Sequence, residues 1–389
     1  MRKIEQKQRN NTKRKLYLIV IAILAIVVCA LIYLYKSNEY VKNFMDVYFF
    51  NRDVTDEDTT IIKLDSDKSN QVFVYGKYIA VLNDKNLDLY DSYGQQVDKI
   101  NININTALYD SNNRYLVVGE NGGNEVCLIL DKTYLWSNTI GEEILQVHVN
   151  SNGYVAVVSS DSTHKSIMTV FNSSGVQLFK SYFSSTTIVD ASISEDNKYI
   201  AIGEIDTSGM VIKSNIKVVS VDNAQNDTEN AIVYTYNAEN NKLIISVKYQ
   251  NENQIACLYD TSIDVIKNNE NKELVTVNSD NVTFVSADFN NQIAYIEEEK
   301  VALFKSNSKI KIINTNNEAE CSYEVDEIVK DIYVQDNILA INVGAELYFF
   351  NTNGHLIKKY VGNREITNVI LSKNIATVIY KDKIVVIEL

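Results

Sequence analysis

Several residue types are scarce in this sequence of 389 residues, and each scarcity limits what the chain can be. Proline is absent, and this absence together with heavy use of Asn, Ile and Lys favours a low-GC genome, and hence a Gram-positive bacterium, over a structural device. Four cysteines make no disulfide framework, because Cys29 lies in an apolar run and Cys127, Cys257 and Cys321 are an odd number spread far apart. We expect these three to be buried as small apolar side chains.

Histidine is also scarce, and the sequence carries no catalytic motif. His148, His164 and His355 lack the paired spacing that would predict a metal site. No serine elbow, no cysteine with a clearly placed base and no glycine-rich phosphate loop is present. We therefore predict a protein that is not an enzyme and that has no cofactor.

Asp65 and Asp67 begin an acidic segment that resembles the start of a calcium-binding loop. Such a loop requires Gly at its sixth position and a bidentate Glu at its twelfth, where this chain has Asn70 and Gly76. A solvated turn is the better interpretation. The sequence thus predicts no metal site and leaves Asp65 and Asp67 as its metal-ligand candidates.

One long apolar run lies near the start of the chain. Residues 16–35 contain no charge, no Gly and no Pro, and about 20 residues rising ~1.5 Å each span a bilayer core. Seven basic residues and only Glu5 precede the run, so the positive-inside rule places the N-terminus in the cytoplasm and exports the chain after Lys36. A cleaved signal peptide is the alternative, although its apolar stretch usually has about 7–15 residues.

We accordingly predict a single-pass protein of the cytoplasmic membrane, with a basic cytoplasmic tail at 1–15, a transmembrane helix at 16–35 and a juxtamembrane stalk or linker at 36–58. Eight of the 37 basic residues and one of the 50 acidic residues lie at or before Lys36, which leaves 29 basic against 49 acidic residues, or −20, for the rest. Such a charge repels nucleic acid and anionic headgroups, so we predict neither as a partner of the exported part.

An internal repeat organises residues 59–389. Its second strand begins with Tyr-Ile-Ala or a close variant, and successive copies are 36 to 55 residues apart, near the length of one four-stranded propeller blade. Turns of the form Asp/Asn-x-x-Gly follow the third strand at 91–94, 172–175 and 351–354. The small residue of the second strand stands at Ala80, Val117, Ala156, Ala201, Ala256, Ala294, Ala340 and Ala376.

These copies predict an all-β fold, a β-propeller of eight four-stranded blades preceded by one transmembrane helix. Seven blades is the alternative if a weak copy, such as that at Val117, is misassigned. Residues 59–64 have no blade of their own, and the last copy is one strand short. We expect this N-terminal strand to pair with the C-terminal strand and close the propeller, because closure removes open sheet edges.

The repeat, with its turn-Tyr-Ile-Ala and Asn-x-x-Gly elements, resembles the superfamily of bacterial propellers related to quinoprotein and tryptophan-aspartate repeat folds. Together with the N-terminal anchor, the chain is similar to an uncharacterised clostridial family of membrane-anchored propellers. The resemblance covers residues 59–389 and implies a fold rather than an activity. The tryptophan-aspartate signature is absent, because Trp136 is the sole Trp, and this also argues against a quinone cofactor.

The order of strands a, b, c and d within a blade indicates where a partner would bind. The a–b and c–d turns lie at one end of the blade, and the b–c and d–a connections lie at the other. Two long b–c hairpins, from Ile205 to Asn215 and from Glu297 to Ser308, should therefore rise from one face, and an insertion at 222–230 from the opposite face. Because binding loops decorate rigid scaffolds, we predict a partner surface on the b–c face of blades four to six.

The sequence thus favours a non-catalytic, membrane-anchored scaffold that binds an envelope protein or a glycan outside the cell membrane. The alternative is an extracellular propeller enzyme, a hydrolase or lyase with an acidic pocket on the axis.

Overall fold

The computed structural model describes residues 20–37 except 22 and 25, residue 45, and residues 60–389 except 65–69, 84–85, 92–93, 103, 105, 239–241, 278–281, 287–290, 303–304, 336 and 373–374. The predicted tail, the metal candidates Asp65 and Asp67, and nearly all of segment 36–58 lie outside these residues. The described residues between 20 and 37 are helical. No helix within the described part of the chain is both long enough and apolar enough to cross a membrane. The predicted span at 16–35 lies partly outside that part.

From Thr60 onward, the described residues form eight antiparallel sheets of four strands each. Each sheet is one blade, so the prediction of eight blades is confirmed and the alternative of seven is wrong. Strands a to d follow one another from the axis outward. The first four blades comprise β2 Asn70–Tyr75, β3 Tyr78–Asn83, β4 Asn86–Tyr90, β5 Gln96–Asn101; β6 Ala107–Asn112, β7 Tyr115–Glu120, β8 Glu125–Leu130, β9 Thr133–Thr139; β10 Glu143–Val149, β11 Val155–Ser160, β12 Ser166–Phe171, β13 Gln177–Phe183; and β14 Thr186–Ile193, β15 Tyr199–Asp206, β16 Lys213–Ser220, β17 Ile232–Asn237.

The remaining blades repeat this order, and the eighth takes its outermost strand from the N-terminal end of the ring. A short helix, Val221–Ala224, lies between β16 and β17. The strands are β18 Ile244–Asn251, β19 Gln254–Tyr259, β20 Ser262–Lys267, β21 Glu270–Thr276; β22 Val282–Ser286, β23 Gln292–Ala302, β24 Lys305–Asn314, β25 Glu320–Val325; β26 Asp331–Gln335, β27 Ile338–Asn342, β28 Glu346–Asn351, β29 Leu356–Val361; and β30 Asn368–Ser372, β31 Ile375–Ile379, β32 Lys383–Glu388, with β1 Thr60–Lys63.

The residue types in strands a to d follow from how deeply each strand is buried. Strands b and c lie between the inner and outer strands and contribute most of the buried residues, and every residue of β12 is buried. The outer strands are covered less, and β17 has only half-buried and exposed residues. The core is therefore a set of apolar layers between blades, to which the small second-strand residues such as Ala156 and Ala201 belong.

The ring closes at blade eight. β1 pairs antiparallel with β32, with Thr60 opposite Val386 and Lys63 opposite Lys383. At the axis, inner strand β30 contacts inner strand β2 of the first blade. The segment that the sequence left without a blade thus supplies the missing outer strand. β32 begins after the b–c turn and runs toward the opposite face. Because β1 is antiparallel to β32, β1 begins at that opposite face. The chain therefore enters the ring at the face formed by the a–b and c–d turns.

Candidate interaction surface

The two predicted hairpins are present, and the four residues that bound them lie at their bases. Ile205 and Asn215 lie in β15 and β16, where Ile205 pairs with Ser214 and Asn215 pairs with Glu204. Both side chains are half-buried. Glu297, in β23, is half-buried and accepts a hydrogen bond from Lys311 Nζ at 3.0 Å. These side chains help to hold the hairpins rather than form their exposed ends.

Ser308 is fully buried and joins two blades. Its Oγ accepts a hydrogen bond from the backbone N–H of Val329 at 3.2 Å and donates to the carbonyl oxygen of Glu327 at 2.9 Å. Serines at the start of strand c repeat this contact in two other blades, Ser166 with the N–H of Ile188 and Ser214 with the N–H of Ile244. Ser308 is therefore a structural junction residue.

The exposed part of the blade-four hairpin is its tip. Met210, Val211 and Ile212 are three consecutive large apolar residues, and their exposed fractions are 105%, 49% and 47%. Monomeric proteins expose scattered apolar side chains, whereas these three are contiguous on a projecting hairpin, which makes the tip a candidate interaction site. In the second hairpin, residues 303–304 between β23 and β24 lie outside the described residues.

A second feature of the same face is a β-bulge repeated at one position in the inner strands of blades three to six. The register shifts between Ile144 and Gln146, between Ile188 and Asp190, between Ile244 and Ser246, and between Val282 and Phe284. Within the described strands, the inner strands of blades one, two, seven and eight have no such shift. A bulge re-aims the extra residue, and bulges concentrate near functional sites.

Two of the bulge residues expose apolar side chains near the b–c face. Leu145 is 40% exposed and Ile245 is 51% exposed, whereas their neighbours Ile144 and Ile244 are buried. Sequence reasoning missed these residues. The signal was present, because buried residues three apart, as in Ile144-x-x-Val147, cannot share one face of a regular strand. We call Leu145, Met210, Val211, Ile212 and Ile245 the b–c patch.

The blade-three hairpin adjoins the patch. Lys165 Nζ donates to Thr207 Oγ1 of the blade-four hairpin at 2.9 Å and to the carbonyl oxygen of Ser185 at 3.0 Å. Beside it, the Asp161 carboxylate accepts hydrogen bonds from His164 and from backbone N–H groups, which hold the pKa of that carboxyl well below its usual range. The hairpins of blades three and four therefore form one connected polar and apolar surface.

Inner-strand ionisable groups bind the neighbouring blade. Asp110 accepts a hydrogen bond from the backbone N–H of Val149 at 2.8 Å, and Asp190 accepts one from the N–H of Val247 at 2.9 Å. Burial raises the pKa of Asp190. The nearby His148 ring, whose Nε2 lies 3.8 Å from Asp190 Oδ1, opposes this rise. Among the described residues, no three His, Cys, Asp or Glu side chains come together as a metal site. The inner carboxylates that contact the next blade therefore serve ring assembly.

The histidines that the sequence showed as scattered lie apart in the structure. His148 is in inner strand β10, and His164 is on the b–c hairpin of the same blade. His355 follows the c–d turn of blade seven.

With the fold and its faces in place, comparison with known proteins identifies the family. The model of a family of unknown function (DUF5711) matches residues 51–389. The chain belongs to this family. A search of the curated proteins found no match.

Solved structures similar to this DUF5711 chain are propellers. The C-terminal WD40 domain of Sif2 has a TM-score of 0.59 and is 11% identical, with 85% of this chain and 99% of that domain covered. BamB from Moraxella catarrhalis has a TM-score of 0.54 and 10% identity, with 85% and 98% covered. Chaetomium thermophilum Sqt1, solved bound to the N-terminus of the ribosomal protein L10, has a TM-score of 0.53 and 12% identity, with 82% and 95% covered. The predicted resemblance to such propellers is thus confirmed at the level of the fold.

Proposed function

We propose that this protein is a non-catalytic interaction scaffold, and that the b–c face of blades three to six is its partner surface. The observation that supports the proposal is the b–c patch, with Met210 fully exposed at the hairpin tip. Fully burying one large apolar side chain contributes about 1.5–3 kcal/mol, and a few such anchors dominate most interfaces. A partner that covered this patch would gain that contribution at several positions.

The proposed partner is a protein or glycan of the cell envelope, held outside the cytoplasmic membrane. The apolar run at 16–35, preceded by seven basic residues, supports a single-pass anchor with the N-terminus in the cytoplasm. The entry of the chain at the a–b face supports an orientation in which the b–c patch points away from the membrane. The similar propeller Sqt1 was solved with a polypeptide bound, which supports a protein partner.

The alternative of an axial acidic enzyme receives less support. Such an enzyme would need several carboxylates converging in the channel, whereas Asp110 and Asp190 each bind the backbone of the next blade. We therefore propose no reaction and no cofactor for this chain.

In-cell crosslinking followed by mass spectrometry tests the scaffold proposal without assuming a partner. The full chain is compared with a variant carrying Met210→Ser, Val211→Ser and Ile212→Ser. The matched control carries Leu135→Ser, Val176→Ser and Ile232→Ser, which change three exposed apolar residues near the c–d turns, with exposed fractions of 38%, 58% and 40%. We expect the amount of crosslinked partner to fall at least tenfold with the first variant and to stay unchanged with the control. Equal capture by all three chains would refute the assignment of this face.

A further inference from the structure

A cavity of about 280 Å³ opens between blades four and five, on the side of the ring opposite the b–c patch. Blades four and five form its two walls, to which they contribute Tyr199 and Tyr249, respectively. Val218 and Ile266 add apolar lining, and Glu252 lies in the a–b turn beside it. Burial raises the pKa of Tyr249, so its hydroxyl stays neutral and can both donate and accept. The volume is near the lower end of ligand sites, about 300 Å³, and suits one large side chain.

Other junctions of the ring fill the corresponding space with the chain's own side chains. Between blades two and three, Trp136 packs against the c–d turn, and its Nε1 donates to the carbonyl oxygen of Ser173 at 3.1 Å. A Cβ atom added to Gly175 would lie 2.7 Å from Cγ of this indole. The turn glycine is therefore required by the close approach of an aromatic ring.

Two more junctions are filled in different ways. Between blades three and four, the helix Val221–Ala224 contacts β13 and buries Val221 and Ala224. Between blades six and seven, Tyr323 packs on Phe350 with ring centroids 4.6 Å apart.

At the junction of blades four and five, the local sequence leaves the space open. The c–d turn of blade five is the two-residue turn Asn268-Asn269, with φ angles of 51° and 63°, which is the tightest hairpin connection. The outer-strand bulge residues Leu178 and Ile357 are half-buried against the next blade, whereas Leu135, at the junction that Trp136 fills, is 38% exposed. The equivalent residue here, Val233, is 45% exposed and lines the cavity.

We propose that this cavity binds an aromatic side chain, with a basic residue beside it, from a partner polypeptide. The aromatic preference follows from the Tyr pair and from the indole that the chain places at the junction of blades two and three. The basic preference follows from charge, because the two a–b turns beside the cavity carry Glu195, Asp196 and Glu252 against Lys198, and Lys198 is paired with Asp196. The site is independent of the b–c patch.

The test uses the full chain in phosphatidylcholine nanodiscs and two probe peptides, acetyl-Lys-Trp-Lys-amide and acetyl-Lys-Ala-Lys-amide. Binding is followed by saturation-transfer difference NMR, with empty nanodiscs subtracted. We expect the Trp peptide to bind at least tenfold more tightly than the Ala peptide. Val233→Trp should fill the cavity and weaken Trp-peptide binding at least tenfold. The matched control Ile232→Trp changes the adjacent exposed residue, which does not line the cavity, and should keep binding within twofold.

A second variant, Glu252→Lys, leaves the cavity open, reverses a charge beside it and should weaken binding at least fivefold. Equal binding of the two peptides would overturn the proposal. So would an equal loss of Trp-peptide binding in Val233→Trp and Ile232→Trp. Absence of binding together with a higher melting temperature for Val233→Trp would identify the cavity as a packing gap. Tighter peptide binding after Phe49→Ser and Phe50→Ser would assign the cavity to the chain's own N-terminal segment and likewise overturn the proposal.

Discussion

Glu204 is a charged side chain with no exposed surface. Its carboxylate accepts hydrogen bonds from Thr186 Oγ1 at 2.8 Å and from Asn215 Nδ2 at 3.3 Å, and Lys217 Nζ lies at 2.7 Å. Removing one member of such a buried group leaves the others without a partner, which costs more free energy than the pair itself contributes. At the level of single residues, the blades are therefore held by buried polar groups as well as by apolar packing.

We predict that Glu204→Ala lowers the free energy of unfolding by about 3 kcal/mol, because it leaves the ammonium of Lys217 poorly compensated. The control is Asp382→Ala, which breaks the exposed pair with Arg364 at 3.0 Å and should cost less than about 1 kcal/mol. Urea unfolding followed by circular dichroism gives both values. Equal losses in the two variants would contradict the buried role of Glu204.

Single residues also show where sequence reasoning stops. Ala80 and its equivalents were recognisable because a small apolar residue recurs at the same position of every second strand, and all eight are buried. Ser308 was predicted at a binding hairpin, yet its hydroxyl joins two blades. A serine within a strand looks the same in the sequence whether its hydroxyl meets solvent or a neighbouring backbone, and only the register decides between the two.

Among the strands that the structure describes, β1 is the shortest, and it completes the eighth blade. It has four residues and covers the outer edge of the six-residue β32. Its place followed from two sequence features, an unassigned strand near the start of the repeat and an incomplete last blade. The bulges of β10, β14, β18 and β22 were not predicted, because a bulge inserts one extra residue and so interrupts the alternation by which a strand is recognised.

We predict that replacing residues 60–63 with Gly-Ser-Gly-Ser lowers the melting temperature and promotes self-association, because the edge of β32 becomes unpaired. A peptide of residues 59–64 in excess should restore the monomer, as measured by light scattering. A peptide with Ile62→Lys serves as control, since Ile62 is 5% exposed in the ring and a lysine there should not dock. An unchanged melting temperature would show that the ring does not depend on β1.

For the whole molecule, the central property is closure, since each blade covers its neighbours on both sides. Cys127 and Cys257 report on two distant junctions, because each belongs to a different core layer. Burial raises the pKa of Cys127 to about 12 and raises the pKa of Cys257 as well. At pH 8 neither thiol forms the reactive thiolate in the folded ring, so labelling requires opening.

We predict that both thiols react with iodoacetamide at the same rate in moderate urea at pH 8, because the closed ring opens as one unit. Mass spectrometry after proteolysis measures each site. In the fully unfolded chain the two rates provide the reference, since both thiols then have ordinary pKa values. Faster labelling of Cys127, which lies nearer the closing blade, would instead show that the ring unzips from its seam.

The pairing of β1 with β32 also gives the ring a mechanical polarity. A pull on the chain before Thr60 is transmitted first to a four-residue pairing, whereas β32 itself is held by strands on both sides. Force arriving from the N-terminal side would peel away one strand and leave seven blades with complete sheets. If the N-terminal run is an anchor, the seam that completes the ring is also the place where tension from the membrane would open it.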